Sequence, residues 1–188
     1  MSSAVGIEMK AIPFIVSANE DTKVAQALSQ LQADTFTLYL KTHNFHWNVV
    51  GPMFHTLHLM FEEQYNELWL AADVIAKRIR ALGCNSPGSY REFSRLTYLR
   101  EPETVPIATD MIADLLSDHE TCARTARWVL TLARTAVDAP TENLMAHRLM
   151  AHQKAAWMLR SLLAGERSSA IAQGAESGRV SSESRAKT

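Results

Sequence analysis

The longest uninterrupted apolar stripe of the chain lies between a Gly51-Pro52 dipeptide and Gly83. Its apolar positions are separated by alternating steps of three and four residues, the spacing of one face of a packed α-helix. Since glycine and proline end helices, the stretch predicts a helix over about 54–82 that must bury its stripe against other helices. The stripe consists of Phe54, Leu57, Phe61, Tyr65, Leu68, Ala72, Ile75, Ile79 and Leu82.

Three other stretches have the same helical periodicity, and they predict helices over about 19–49, 105–136 and 142–163. The irregular connection over 84–103 has a middle part, about 90–98, that predicts one or two helical turns. No stretch has the alternating pattern of a β-strand. The sequence therefore predicts an all-α protein, a four-helix bundle with one long connection between its second and third long helices.

The two ends of the chain differ in composition from the helical part. Residues 166–188 are rich in serine, alanine, glycine and arginine and contain no aromatic residue, so we expect a mobile tail. Residues 1–17 are expected to form a flexible arm, which leaves 18–165 as the folded domain. The N-terminal sequence has no secretory pattern, and no stretch approaches the roughly 20 apolar residues that span a bilayer. These features predict a cytoplasmic protein without a membrane segment.

Charge and cysteine content narrow the classes of function. The formal net charge is -1, which gives no overall attraction to nucleic acid. The basic residues of the tail are nearly balanced by acidic ones, so we expect weak DNA binding at most, raised by avidity if many tails share one assembly. Cys84 and Cys122 form neither a disulfide framework nor a C-x-x-C motif, in agreement with a reducing compartment.

A candidate metal site lies where the first two helices meet. His58 and Glu62 are four residues apart and therefore face the same way on one helix. His46 ends the preceding helix, and the Gly51-Pro52 turn folds it back toward them. Two imidazoles and a carboxylate suit Fe(II), and they also suit Zn, Co or Mn. The alternative for the His58–Glu62 pair alone is a solvated polar stripe.

Asp73 points in nearly the same direction as Glu62 but lies 11 residues further along the helix. That separation is about 16 Å along the axis, so Asp73 cannot reach a metal ion held by His58 and Glu62 of its own chain. It reaches such an ion if a second copy of the helix lies antiparallel across a twofold axis, where two identical patches exchange ligands. The spacing thus predicts a site shared by two subunits.

Three stretches resemble the starvation-induced DNA-protecting (Dps) family of small ferritins. They are THNFHWNVVGPMFHTLHLMFEEQYNELWLAADVIAKRIRALG at 42–83, PGSYREFSRLT at 87–97 and AWMLRSLLAG at 156–165. The resemblance extends over about residues 20–165. It implies a ferritin-like four-helix bundle with a short extra helix in the connection between helices 2 and 3, and a hollow shell, a homododecamer built from twofold dimers.

The resemblance also implies a ferroxidase that binds Fe(II) between subunits, oxidises it with hydrogen peroxide and stores ferric mineral, which protects the cell and its DNA. It implies that His46, His58 and Glu62 are the iron ligands of one subunit, with Glu62 where the family more often has aspartate. Asp73 is implied as the ligand from the neighbouring subunit and Trp47 as an aromatic residue beside the site. Zn or Mn are expected to fit the same ligands. If DNA is bound, association with the bacterial nucleoid is expected.

One position departs from the family pattern D-x-x-x-E-R. Here the stretch reads D73-V-I-A-K77-R78, with Lys77 in place of the second carboxylate. A protonated lysine cannot bind a metal ion, so a second iron position loses a ligand, and Lys77 is expected to pair with Asp73 or Glu62. Lys77 favours the alternative function, a structural or DNA-compacting shell with a weakened, non-ferroxidase metal site.

Four further residues leave two interpretations each. Asp138 and Glu142 flank the turn before the last helix; the resemblance implies an acidic pore that admits Fe(II), and helix capping is the alternative. His43 is predicted to be a surface residue or a neighbour of the site rather than a ligand. His119 falls on an apolar stripe and is predicted to be a core or interface histidine.

Overall fold

The computed structural model describes the backbone of residues 18–185 and the side chains of residues 20–165. This part of the chain consists of helices without a β-strand, and none of these helices has an apolar stretch long enough to cross a membrane. The helices are α1 (Ala18–Asn48), α2 (Phe54–Ala81), α3 (Tyr90–Leu96), α4 (Ala108–Thr135) and α5 (Ala139–Arg185). The prediction of an all-α bundle with a short helix in the connection between its second and third long helices is confirmed. The predicted arm over 1–17 lies outside the described residues.

The four long helices form two hairpins, α1 with α2 and α4 with α5, and α1 also packs along α4. Their apolar faces form two clusters that follow each other along the bundle. Burying one large apolar side chain stabilises a fold by about 1.5–3 kcal/mol, so these clusters hold the hairpins together. One cluster contains Leu38, Phe45, Leu57, Phe61, Leu68, Ile112 and Leu115, and the other contains Val24, Leu28, Ile75, Ile79, Val129 and Met145.

Polar side chains lie between the two apolar clusters. Asp34 is fully buried and accepts hydrogen bonds from the backbone N–H of Tyr98 at 2.7 Å and from the hydroxyls of Thr97 at 3.0 Å and Thr125 at 3.1 Å. Burial raises the pKa of Asp34, and the hydrogen bonds oppose this rise only in part. This one carboxyl group therefore ties the connection after α3 to both α1 and α4.

The turn between α1 and α2 sets the geometry of the candidate site. Gly51 has a φ of +106°, a backbone conformation that other residues rarely adopt. Its carbonyl accepts a hydrogen bond from the N–H of Phe54 at 3.0 Å, which starts α2 immediately after the turn. The last turn of α1 consequently lies beside the first turns of α2.

Two helix starts differ from the sequence prediction by about three residues. Helix α4 begins at Ala108 rather than near 105, because Pro106 disfavours a helical conformation of the residue before it. Helix α5 begins at Ala139 rather than at 142, because Asp138 accepts a hydrogen bond from the N–H of Thr141 at 3.1 Å and caps it.

The end of α5 also differs from the prediction. The expected end was near residue 163, whereas the helical backbone continues to Arg185. Residues 166–185 contain many alanines, serines and charged residues, which permit a helix although they offer no apolar stripe. The proposed domain limits, and the mobility of the tail over 166–188, remain predictions; residues 186–188 lie outside the described residues.

Candidate metal centre

His46 and His58 lie against each other where α1 and α2 meet. Their rings are stacked, with centroids 3.8 Å apart and an interplanar angle of 20°. Nδ1 of His46 is 2.8 Å from the carbonyl oxygen of His58, and Nδ1 of His58 is 3.0 Å from the carbonyl oxygen of His46. Each imidazole therefore holds the backbone of the other residue.

These two hydrogen bonds determine which ring nitrogens are available. A carbonyl oxygen only accepts, so Nδ1 of both His46 and His58 must bear a hydrogen. In the neutral imidazole, Nε2 then has a free lone pair. Metal-binding histidines are commonly fixed in this way, by a hydrogen bond from the ring nitrogen that does not bind the metal. The reciprocal arrangement thus presents two oriented nitrogen donors.

The two predicted carboxylate ligands do not join the histidines within one chain. Glu62 is partly buried one turn beyond His58, and Asp73 is exposed further along α2. Among the side chains that the structure describes, no three His, Cys, Asp or Glu residues form a group able to hold a metal ion. The His46–His58 pair is therefore an incomplete site, and the four-ligand set remains a prediction.

Lys77 pairs with Asp73, one of its two expected partners. Its Nζ lies 2.6 Å from Oδ2 of Asp73, and the two side chains are 75% and 59% exposed. An exposed i,i+4 ion pair contributes only about 0.3–0.5 kcal/mol. Breaking this ion pair therefore costs little free energy.

Aromatic rings surround the histidine pair on the side of α1 and α2. Tyr65 lies edge-on to His46, with centroids 5.3 Å apart, and the ring of His43 stacks on Tyr65 at 4.0 Å. Trp47 is 62% exposed, and the centroid of its ring lies 4.2 Å from the ring centroid of His43. His43 is thus a neighbour of the pair. Burial, and to a smaller extent His46, lowers the pKa of His43.

Beside these residues, α2 presents exposed apolar side chains. Trp69, Leu70 and Val74 are 55%, 66% and 48% exposed, and they lie next to Asp73 along the helix. Large apolar side chains grouped on an exposed helix face mark a surface that contacts a partner. This face therefore favours association of α2 with another chain.

A second histidine pair lies inside the bundle. His119 is buried, in agreement with its prediction as a core or interface histidine, whereas its contact with His152 was not predicted. Nδ1 of His119 on α4 is 3.0 Å from Nδ1 of His152 on α5, and both residues are buried. The Arg148 guanidinium faces Nε2 of His152 at 3.4 Å, so this nitrogen accepts and Nδ1 of His152 donates to His119. Nε2 of His119 then bears a hydrogen, and it has no hydrogen-bond partner among the described residues.

Both buried histidines remain neutral. Burial, helped by the charge of Arg148, lowers the pKa of His119 to about 3. Burial also lowers the pKa of His152 well below its usual range. Periodicity could have indicated the burial of His152, because this residue lies seven residues from both Met145 and Leu159 on the buried stripe of α5.

The structure favours capping over a pore for Asp138. Its side chain is buried and accepts hydrogen bonds from Thr141 and, at 2.6 Å, from Arg78. Burial alone would raise the pKa of Asp138, yet these bonds lower it below its usual value. Glu142 is paired with Arg134 at 3.3 Å. Both carboxylates are therefore engaged within the chain.

Comparison with known proteins agrees with the bundle and extends over most of it. The family model of the ferritin-like domain matches residues 25–168. An uncharacterised low temperature-induced protein of a Nostoc species is 39% identical over 145 residues, which cover 76% of this chain and 81% of the relative. The DNA protection during starvation protein 2 of Bacillus anthracis is 33% identical, over 75% of this chain and 97% of the relative.

Solved structures show the same likeness. Antigen TpF1 of Treponema pallidum has a TM-score of 0.77 and 30% identity, and the match covers 80% of this chain and 97% of the antigen. A Dps protein of Vibrio cholerae, described as a member of a superfamily of ferritin-like diiron-carboxylate proteins, has a TM-score of 0.76 and 28% identity. That match covers 78% of this chain and 92% of the other.

Proposed function

Since the chain belongs to the Dps family of ferritin-like proteins, we propose that it oxidises Fe(II) at sites between two subunits and stores the ferric product inside a shell. The observation that supports this most directly is the His46–His58 pair, whose reciprocal hydrogen bonds leave both Nε2 atoms free. Neutral imidazole with carboxylate suits Fe(II) as substrate. Zn or Mn would fit the same donors and compete.

The site would be completed by a second subunit. His46, His58 and Glu62 would come from one chain and Asp73 from its neighbour, because Asp73 lies too far along α2 to serve its own site. The exposed apolar face around Trp69 supports pairing of α2 helices across a twofold axis. Dimers of this kind would build the homododecameric shell that we propose.

The chain's residues supply orientation and charge compensation. The fixed imidazoles would bind Fe(II) without rearranging, and the carboxylates of Glu62 and Asp73 would stabilise the higher charge of the oxidised ion. Hydrogen peroxide, the proposed oxidant, takes two electrons and two protons to give two waters. Each Fe(II) supplies one electron, so two Fe(II) ions are consumed for each peroxide.

A second candidate function rests on Lys77. Lysine in place of a carboxylate removes one ligand and adds a positive charge close to the proposed site. If the weakened site does not oxidise iron, the assembly is a structural or DNA-compacting shell. DNA binding itself is a minor part of the proposal, because the net charge of -1 offers little electrostatic drive. We place the protein in the cytoplasm, with association to the nucleoid if DNA is bound.

Stopped-flow absorbance tests the proposal. Fe(II) and peroxide are added to iron-free protein, and formation of ferric species is compared with a protein-free control. We expect the protein to accelerate oxidation, and His46→Ala to lower the rate by about 10- to 100-fold. His55→Ala, at an exposed position on α2, is the matched control and should retain the rate. A wild-type rate equal to the protein-free rate would reject the ferroxidase function and favour the structural shell.

A further inference from the structure

Three aromatic rings connect the histidine pair with the outside of the hairpin. Tyr65 contacts His46 with ring centroids 5.3 Å apart, and Tyr39 lies 6.3 Å from Tyr65. Trp69 follows 5.5 Å from Tyr39. Neighbouring rings at these separations exchange electrons readily, and phenol and indole are the side chains that are most easily oxidised by one electron. Tyr39 and Tyr65 are both partly buried.

Tyr39 differs from Tyr65, the other tyrosine of the hairpin, because its hydroxyl has an imidazole partner. The hydroxyl oxygen lies 3.3 Å from Nδ1 of His43. When His43 bears its hydrogen on Nε2, the phenol donates and Nδ1 accepts. The ring of His43 also stacks on Tyr65, with an interplanar angle of 17°, which fixes its orientation. A phenol loses its proton when it is oxidised, so an acceptor within reach favours oxidation of this tyrosine over others.

A site that binds one Fe(II) requires a second electron donor to reduce peroxide to water. With Lys77 in place of one carboxylate, the proposed site would have ligands for a single Fe(II), which would supply one electron to peroxide. Cleavage of the O–O bond by one electron releases a hydroxyl radical, the species from which DNA must be protected. A second electron delivered at once converts both oxygen atoms to water.

We propose that Tyr39, with His43 as its proton acceptor, supplies the second electron when peroxide oxidises a single Fe(II) at this site. The inference rests on the proposed function. In the balanced step, Fe(II), the Tyr39 phenol, neutral His43, hydrogen peroxide and two solvent protons give Fe(III), the Tyr39 phenoxyl radical, protonated His43 and two waters. The O–O bond breaks, iron and tyrosine each lose one electron, and the phenol proton moves to Nδ1 of His43.

The radical is returned to phenol by a second Fe(II). Tyr39 then takes one electron from this ion and takes its proton back from His43, and a second Fe(III) forms. Two Fe(II) ions are thus consumed for each peroxide, as at a two-iron site, although only one is bound at a time. Tyr65 lies between Tyr39 and His46 and provides the route for the electron.

Rapid freeze-quench electron paramagnetic resonance tests the inference. Protein with about one Fe(II) per proposed site is mixed with peroxide, and the radicals are identified. We expect a tyrosyl signal in the wild type that is lost in Tyr39→Phe, which keeps the ring and its packing. Tyr98→Phe is the matched control, because this tyrosine is exposed and has no ring contact with the His46 side of the hairpin among the described contacts; it should retain the signal.

Spin trapping of hydroxyl radical provides a second readout in the same samples. Tyr39→Phe should release several-fold more trapped radical than the wild type, whereas Tyr98→Phe should not. If the wild type oxidises Fe(II) rapidly but forms no tyrosyl radical, or if the radical survives in Tyr39→Phe, this inference alone is overturned. If the wild type does not accelerate iron oxidation, both the proposed function and this inference are rejected.

Discussion

Acidification should destabilise the bundle through His119, because this residue cannot take up a proton inside the fold. Its pKa is lowered to about 3 by burial, whereas an unfolded histidine has a pKa of about 6.5. The contribution of neutral His119 to the free energy of unfolding is complete above a pH of about 6.5. This contribution is lost as the pH falls toward about 3. At a pH of about 5 the free energy of unfolding is lower by ~2 kcal/mol, and at a pH of about 3 it is lower by ~4 kcal/mol.

The substitution that isolates this effect is His119→Gln. Glutamine retains an acceptor for Nδ1–H of His152 but does not titrate. Urea unfolding of iron-free protein, followed by circular dichroism at pH of about 7.5 and about 5, gives the free energy of unfolding at each pH. We expect the wild type to lose about 2 kcal/mol more than His119→Gln on acidification. His152 titrates in both proteins and therefore contributes to both losses.

A matched control separates this effect from a general response to acid. His147→Gln replaces an exposed histidine on α5 and should show the same acid loss as the wild type. If the wild type and His119→Gln lose equal stability, His119 is protonated in the fold and the reasoning from burial is wrong.

Two further substitutions address the site and the core. Lys77→Glu should raise the rate of iron oxidation, since it restores a carboxylate four residues after Asp73. Lys77→Gln is the control for loss of charge alone. An unchanged rate in Lys77→Glu would count against a weakened site. Asp34→Ala should lower the free energy of unfolding by about 3 kcal/mol, because it leaves the N–H of Tyr98 and two hydroxyls without their acceptor. Asp34→Asn keeps one acceptor oxygen and should cost about 1 kcal/mol; equal losses in thermal or urea unfolding would contradict this account.

The sequence predicts α2 to within one residue, because its apolar stripe lies between two glycines that end helices. It predicts the start of α4 less well, since Ala108 follows a proline-containing segment whose extended backbone has no periodicity. The end of α5 was missed for the opposite reason. Its apolar stripe stops near residue 163, but helix propensity alone continues the helical backbone.

The candidate site was predictable as far as local spacing allows. The turn at Gly51 brings His46 to His58, as expected. Spacing along α2 shows only that Asp73 lies too far from this pair to bind the same ion within one chain. The contact between His119 and His152 was not predictable in this way. These residues lie on two helices whose relative rotation depends on packing of the whole bundle, and no local pattern reports it.

The reciprocal hydrogen bonds of His46 and His58 couple the positions of the two imidazoles to the packing of α1 against α2. Local opening of this hairpin separates the two imidazoles, and loss of either histidine releases the ring of the other. Substitutions at the two positions should therefore be non-additive. A cation that binds both rings would act as a cross-link between the helices, so the supply of metal would regulate how often this end of the bundle opens.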